Sequence, residues 1–236
     1  MKKFAAFDID GTLIRWQLYH AVVDKLAKKG LLGPDAEKQL NQARMKWKRR
    51  QHKDSFSRYE TSLIAIFEAA FGSLSAKQFD LVTQEVIDEY GDQTYIYTRE
   101  LIKKLKKKGY ILLAISGSQQ EVVEHVAKLY GFTDWVGTNY KRRNDRFSSE
   151  PFVASQHKKE VLESLIKKHG LEMAGSIGIG DSGNDADILA MVEQPIAFNP
   201  DQKLYNSAKK NGWKIVIERK NVIYRLEADN GSYILA

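Results

Sequence analysis

The 236-residue chain contains no cysteine, which excludes a disulfide scaffold, a thiolate nucleophile and any zinc or iron–sulfur centre held by cysteine. The fold is therefore expected to be indifferent to redox conditions. Also missing is any apolar run near the ~18 residues that a membrane-spanning helix requires. The start, Met1-Lys2-Lys3-Phe4-Ala5-Ala6-Phe7, begins like a secretion signal, but Asp8 and Asp10 interrupt it before a hydrophobic region of ~7 residues can develop. A cytoplasmic protein without membrane contact is the expectation. No internal repeat and no low-complexity tract is found.

What is present is ample material for a core. Hydrophobic residues make up 43% of the chain and charged residues 28%, far from the composition of disordered segments. At about 150 residues per domain the length suggests one domain with an insertion. The 37 Lys and Arg outnumber the 30 Asp and Glu, leaving a net charge of +7. That surplus suits an anionic partner, which could be a phosphorylated metabolite, nucleic acid or a lipid surface.

Short apolar runs alternate with helical patterns, which predicts strand-helix-strand units on a mostly parallel sheet, an α/β fold. The predicted strands are Phe4–Ile9, Tyr110–Ile115, Trp135–Gly137, Ser176–Ile179, Ile196–Phe198 and Lys214–Ile217. The predicted helices are Thr98–Lys108, Gln119–Tyr130, His157–His169, Asn184–Val192 and Asp201–Asn211. Ser118 with Glu121 reads as a capping box, Ser155 as the cap of the helix near Lys158, and Gly131 as a helix C-terminus. From about Arg15 to Gln93 the periodicity is helical throughout, as in an inserted bundle, with Leu63, Ile64, Phe67 and Ala70 as a core-facing stripe. Asn221–Ala236 reads as two strands around an Asn230-Gly231 turn.

The chemistry concentrates where strands end. Phe7-Asp8-Ile9-Asp10-Gly11-Thr12 follows a strand expected to be buried on both faces, and ligands of open parallel sheets bind outside the carboxyl ends of the strands. Two carboxylates aimed at one small site repel unless a cation relieves them, and a hard divalent ion such as Mg²⁺ with oxygen ligands would do so. The same hexapeptide also reads as an Asp-Gly turn with solvated acids. Gly180-Asp181-Ser182-Gly183-Asn184-Asp185 occupies an equivalent position, where Asp is equally a good helix starter. Ser116-Gly117-Ser118 before a helix would suit an anion, although it also reads as a plain cap. Lys158, in the first turn of its helix, opposes the helix dipole unless an anion lies nearby; Lys159 beside it reads as surface.

Taken together these four groups resemble the haloacid dehalogenase superfamily, and within it the phosphoserine-phosphatase-like branch. The family's first motif is DxDGT or DxDST, its second a Ser or Thr ending a strand, its third a Lys and its fourth GDxxND. Asp8-Ile9-Asp10-Gly11-Thr12, Ser116, Lys158 and Gly180-Asp181-Ser182-Gly183-Asn184-Asp185 match them in order over nearly the whole chain. The resemblance implies a Rossmann-like doubly wound core built from residues 1–15 and 95–236, with a helical cap over 16–94. It implies a Mg²⁺-dependent phosphatase acting on a small phosphorylated metabolite through an aspartyl-phosphate. Asp8 would be the nucleophile and Asp10 the general acid and base. Asp8, the Asp10 carbonyl and Asp181 would hold the metal, with Asp185 supporting them. Ser116, Gly117, Lys158 and Asn184 would bind the phosphoryl group.

Two departures bear on the substrate. Gln17 stands where phosphoserine phosphatases carry a Glu that reads the substrate amine, which argues against phosphoserine itself, although a phosphoserine phosphatase proper is kept as the alternative. The basic stretch Arg44–Lys53 with Arg58 lies in the implied cap, where Arg49 and Arg58 are candidates for a second substrate charge; a solvated helix face is the favoured reading of them. Phosphotransfer to an alcohol would share the first half-reaction. A nucleic-acid-binding protein using the basic stretch and Trp47 is the non-enzymatic alternative, disfavoured by the two acidic clusters. The five histidines form no close ligand pair, and the sequence carries no signal for oligomeric state.

Overall fold

Four consecutive apolar residues followed by an acid suit a central strand that ends at a site. In the computed structural model, which describes residues 2–50, 52–229 and 232–235, that tetrapeptide is β1 (Phe4–Phe7), buried at every position. Four helices follow, α1 (Leu18–Lys28), α2 (Ala36–Lys48), α3 (Ser55–Ala69) and α4 (Ala76–Tyr90), before α5 (Ile96–Lys107) leads into β2 (Ile111–Gln119). Next come α6 (Gln120–Tyr130), the pair β3 (Asp134–Arg143) and β4 (Arg146–Phe152), α7 (Lys158–His169) and β5 (Ile177–Gly180). The chain ends with α8 (Ala186–Met191), β6 (Gln194–Phe198), α9 (Gln202–Asn211), β7 (Lys214–Arg219), β8 (Val222–Asp229) and β9 (Ser232–Leu235).

One sheet takes in all nine strands in the order β4-β3-β2-β1-β5-β6-β7-β8-β9. The stretch from β3 to β7 is parallel, and β4, β8 and β9 join antiparallel at the two edges. Alternation along β1 sends Ala5 and Phe7 to one face and Phe4 and Ala6 to the other. The first face is covered by α5, α6 and the helices of the 18–90 stretch. The second is covered by α7 and α8 through Val161, Leu162, Leu165 and Ile188, with Val192 just after α8, and α9 packs against β6 and β7 through Leu204 and Ala208. This is the expected doubly wound α/β sheet. The strand order reverses between β2 on one side of β1 and β5 on the other, so the crevice of the switch point opens beside β1. Among the described residues no helix is long and apolar enough to cross a membrane.

Several local expectations need correction. β3 runs well past Gly137 and turns back as β4, a hairpin that charged Lys141, Arg142 and Arg143 hid from the strand pattern. Its turn residues, Asn144 and Asp145, both have positive φ, the conformation of a tight two-residue hairpin. Asp145 then serves α4: its carboxylate accepts from Ser75 Oγ at 2.8 Å and from the Lys77 amide at 2.9 Å, satisfying helix N-terminal groups that otherwise lack partners. Ile64 is exposed while Leu63 and Phe67 are fully buried, because the inner stripe of α3 continues through Tyr59, Leu63 and Phe67. The Ser118–Glu121 capping box does not form: Ser118 still belongs to β2, Gln119 precedes α6 without a side-chain cap, and Glu121 pairs with Arg142. Ser155 lies in a single 3-10 turn, Ala154–Gln156, and His157 is the residue before α7. Gly131 does end α6, at φ 69°. β8 and β9 pair as the C-terminal ribbon; Asn230 and Gly231 lie outside the described residues.

The hairpin and the helices share an aromatic cluster. The Phe67 ring lies 5.9 Å from Tyr19, 5.0 Å from Phe71, 5.9 Å from Phe79 and 5.5 Å from Tyr140. Tyr19 and Tyr140 also join their hydroxyls at 3.0 Å. The apolar core is therefore continuous from the sheet into the helical stretch.

Candidate active site

Beyond β1 the Asp8 amide still donates to the Ile179 carbonyl of β5 at 2.9 Å, so Asp8 is held by ladder bonding at the crevice. The chain then turns tightly, with the amides of Leu13 and Ile14 both donating to the Ile9 carbonyl, at 2.8 and 2.9 Å. Gly11 makes this turn at φ +77°, and a Cβ there would stand 2.2 Å from Asp181 Oδ2. Glycine is thus required both by the backbone conformation and by the approach of Asp181.

The turn sends the two acids to different partners. Asp8 Oδ1 accepts from Lys158 Nζ at 2.8 Å, and the same ammonium reaches Asp185 Oδ1 at 2.5 Å. Thr12 Oγ1 lies between Asp8 Oδ2 and Asp181 Oδ1, at 3.5 and 3.2 Å. Asp10 Oδ1 accepts from the Leu18 amide, the first of α1, at 2.5 Å. Its Oδ2 accepts from Ser116 Oγ at 3.2 Å and from Ser118 Oγ at 2.5 Å. On the β5 side, the Ser182 amide and hydroxyl both donate to Asp185 Oδ2, at 2.9 and 3.0 Å, which fixes Asp185 under the loop.

Lys158, rather than the exposed Lys159, is turned inward, 5% exposed. Burial would lower its pKa, but Asp185 and Asp8 outweigh that and hold it raised, so it carries its charge. The carboxylates show the opposite balance. Burial, aided by Asp185 and against the pull of Lys158, lifts Asp8 to about 7. Burial and the charge of Asp8 push Asp181 well above the ordinary range, and burial raises Asp10 despite its hydrogen bonds. Asp8, Asp181 and Asp185 each offer an oxygen within 4.8 Å of the others. Three crowded, desolvated carboxylates facing one ammonium leave a surplus of negative charge, and their all-oxygen donor set fits a hard divalent cation.

Of the other residues singled out in the sequence, Gly117 ends in the same strand, its carbonyl accepting from Thr138 Oγ1 at 2.8 Å. A Cβ on Gly117 would come within 3.2 Å of Ser155. Asn184 is exposed in the 3-10 turn Gly183–Asp185. Gln17 is half-buried immediately before Leu18. Arg49 and Arg58 are exposed and make no ion pair among the described residues, whereas Arg44 is bound to Asp24. His157 is exposed and stacks on Phe152.

Three side chains make contacts at the site that the motif reading does not assign them. Ser118 stands two residues from Ser116, and that period-two spacing in a strand was a signal for it; the capping-box reading concealed it. Thr12 lies inside the first motif. His20 in α1 has Glu60 of α3 3.7 Å away, a contact across two helices that no local pattern announces.

The chain is 27% identical over 228 residues to a histidinol-phosphatase of Neisseria meningitidis, covering 92% of this chain and 99% of that one. Several other curated relatives are matched over only about half of their own length. Among solved structures, a Bordetella pertussis protein of unknown function superposes with a TM-score of 0.73 at 19% identity, covering 92% and 99% of the two chains. A substrate-bound phosphoserine phosphatase gives 0.65 at 19% identity, over 94% and 95%. The model of the haloacid dehalogenase-like hydrolases matches residues 5–190, a span that holds every acid, serine and lysine of the crevice. The chain belongs to the haloacid dehalogenase-like hydrolase family.

Proposed function

We propose that the protein is a Mg²⁺-dependent phosphatase that hydrolyses a small phosphomonoester through an aspartyl-phosphate on Asp8. The observation that carries this reading is the Lys158 ammonium held between Asp8 and Asp185, beside a carboxylate cluster fit for a divalent ion. Phosphoryl transfer asks for positioning and charge neutralisation above all. Asp8, the Asp10 carbonyl and Asp181 would hold Mg²⁺, with Asp185 behind them; when bound, the ion neutralises charge on the phosphoryl oxygens and on Asp8.

The chain's own residues perform the rest. Lys158, Ser116, the Gly117 amide and Asn184 bind and orient the phosphoryl oxygens. An Asp8 oxygen forms the bond to phosphorus while the bond to the leaving oxygen breaks, and the protonated Asp10 carboxyl gives its proton to that oxygen as it departs. Asp10, now a carboxylate, takes a proton from the water that attacks phosphorus, and the bond to Asp8 breaks to release phosphate. The raised pKa of Asp10 suits a group that must first donate. Residues 16–94 act as a cap over a core of residues 1–15 and 95–236, and the β3–β4 hairpin braces the cap through Tyr140 and Phe147.

For the substrate we read an amino-alcohol phosphate of the histidinol-phosphate kind, supported by the near full-length likeness to a histidinol-phosphatase and by Glu60 beside His20 as an acidic partner for an amine. Purified protein with Mg²⁺ is tested for phosphate release from histidinol phosphate, phosphoserine, other phosphometabolites and an aryl phosphate. Release abolished in Asp8→Asn supports the reading. No release from any of them sinks it, preference for phosphoserine corrects the substrate, and transfer to an alcohol acceptor would make the protein a phosphotransferase.

A further inference from the structure

Ser116 is asked to do two things. Its hydroxyl donates to Asp10 Oδ2 at 3.2 Å, and in the reading above it donates to the phosphoryl group. A hydroxyl carries one proton, so it cannot serve both acceptors at once. Ser118 also donates to Asp10 Oδ2, and more closely, at 2.5 Å. It is 2% exposed, and its own amide donates to Ser116 Oγ at 3.2 Å.

We propose that Ser118 is a positioning residue that keeps Asp10 aimed at the leaving oxygen after Ser116 has transferred its hydrogen bond to the phosphoryl group. The inference rests on the phosphatase reading and adds a role that reading does not need. The physical case lies in where the contacts come from. Asp10 Oδ1 is held by the Leu18 amide of α1 and Oδ2 by Ser118 at the end of β2. Two donors on two rigid elements, one to each oxygen, fix the rotation of the carboxyl group. With Ser116 withdrawn and no Ser118, only the Leu18 contact would remain, and the carboxyl could swing about it. The alternation of β2 puts residues 116 and 118 on one face, so both hydroxyls reach the same oxygen. The Ser118 amide, donating to Ser116 Oγ at 3.2 Å, ties the two residues together and gives Ser116 a fixed pivot.

The test uses leaving-group dependence in the full-length protein with Mg²⁺. Departure of an alkyl oxygen needs Asp10's proton, whereas p-nitrophenolate leaves largely without it. The measured quantity is therefore kcat/KM for the best alkyl phosphate divided by kcat/KM for p-nitrophenyl phosphate, a ratio within each variant that does not depend on the fraction folded. Positioned acid catalysis contributes about 100-fold or more, and losing half of its anchoring in Ser118→Ala is expected to lower the ratio by at least about 10-fold. Ser118→Thr keeps the hydroxyl and is expected to restore the ratio to within about threefold of wild type. If the alanine variant does not fold, the nearly isosteric Ser118→Cys, a poor donor, is expected to lower the ratio in the same direction. An unchanged ratio in Ser118→Ala or Ser118→Cys, or a ratio that threonine does not restore, overturns the proposal. Absence of activity on both esters in the wild type overturns the phosphatase reading instead, so the two failures are told apart.

Discussion

Replacing Lys158 with methionine removes one charge from the centre of the site while nearly keeping its volume. The ammonium lies 2.8 Å from Asp8 and 2.5 Å from Asp185, and all three side chains are buried. Taking one partner out of a buried ion pair leaves an uncompensated charge and costs about 3–5 kcal/mol. Against a typical total of about 5–15 kcal/mol, a third or more of the stability is at stake. The loss has a pH signature. Asp8 is already raised to about 7 in the folded protein against 3.8 in a free carboxyl, so between these values the folded state holds a proton that the unfolded state has released. Stability attributable to such a group falls as pH rises through that window, by about 1.4 kcal/mol per pH unit for each retained proton. Without Lys158, Asp8 holds its proton to still higher pH, so the deficit of Lys158→Met relative to wild type is expected to grow between pH 5 and pH 8 by up to about 1.4 kcal/mol. Urea denaturation of both proteins without divalent metal, at the two pH values, measures it. A deficit below about 1 kcal/mol at pH 8, or one equal at both pH values, would refute the reasoning.

The acid cluster makes a linked prediction for metal. Carboxylates must be deprotonated to bind a cation, so saturating Mg²⁺ should raise the melting temperature more at pH 8 than at pH 5.5, and Asp181→Asn should remove most of the rise. Gly11→Ala should cost about 1–2 kcal/mol from the left-handed backbone alone; because its methyl would displace Asp181, the Mg²⁺-dependent rise should shrink as well, and a normal metal response would contradict the packing. Phe67→Ala, which empties the centre of the aromatic cluster, should cost about 3–5 kcal/mol by chemical denaturation, with a loss under about 1 kcal/mol counting against a shared core. Arg49→Ala and Arg58→Ala, both exposed, should leave stability within about 0.5 kcal/mol of wild type, and a KM increase confined to one of them would mark that residue as a substrate contact.

The fold and most of the site could be read from local pattern because local physics produces them. The Phe4–Phe7 run, the Asp-x-Asp-Gly turn and the apolar stretch before Gly180 each state their position within a few residues, and a parallel sheet then brings strand ends together. Asp8, Asp10, Ser116 and Asp181 stand at such strand ends, which the sheet brings into one crevice. Reading failed where a polar side chain had two possible uses. Ser118 fits a helix-capping pattern as well as a strand position, and its sequence neighbours do not contain Asp10, the group that decides between them. β4 was missed because a hairpin that packs on helices can afford charged residues on its open face, which erases the alternation.

What the sequence determined by itself is therefore the set of strand ends and the kinds of residue they carry, since burial periodicity and turn chemistry act over a few neighbouring residues. Tertiary structure alone decided that Ser116 and Ser118 hold the same oxygen of Asp10, and that Arg44 is bound to Asp24 while Arg49 is exposed. Those outcomes depend on distances between segments far apart in the chain, and on the cost of burying a charge without a partner, a cost set only once the segments have met.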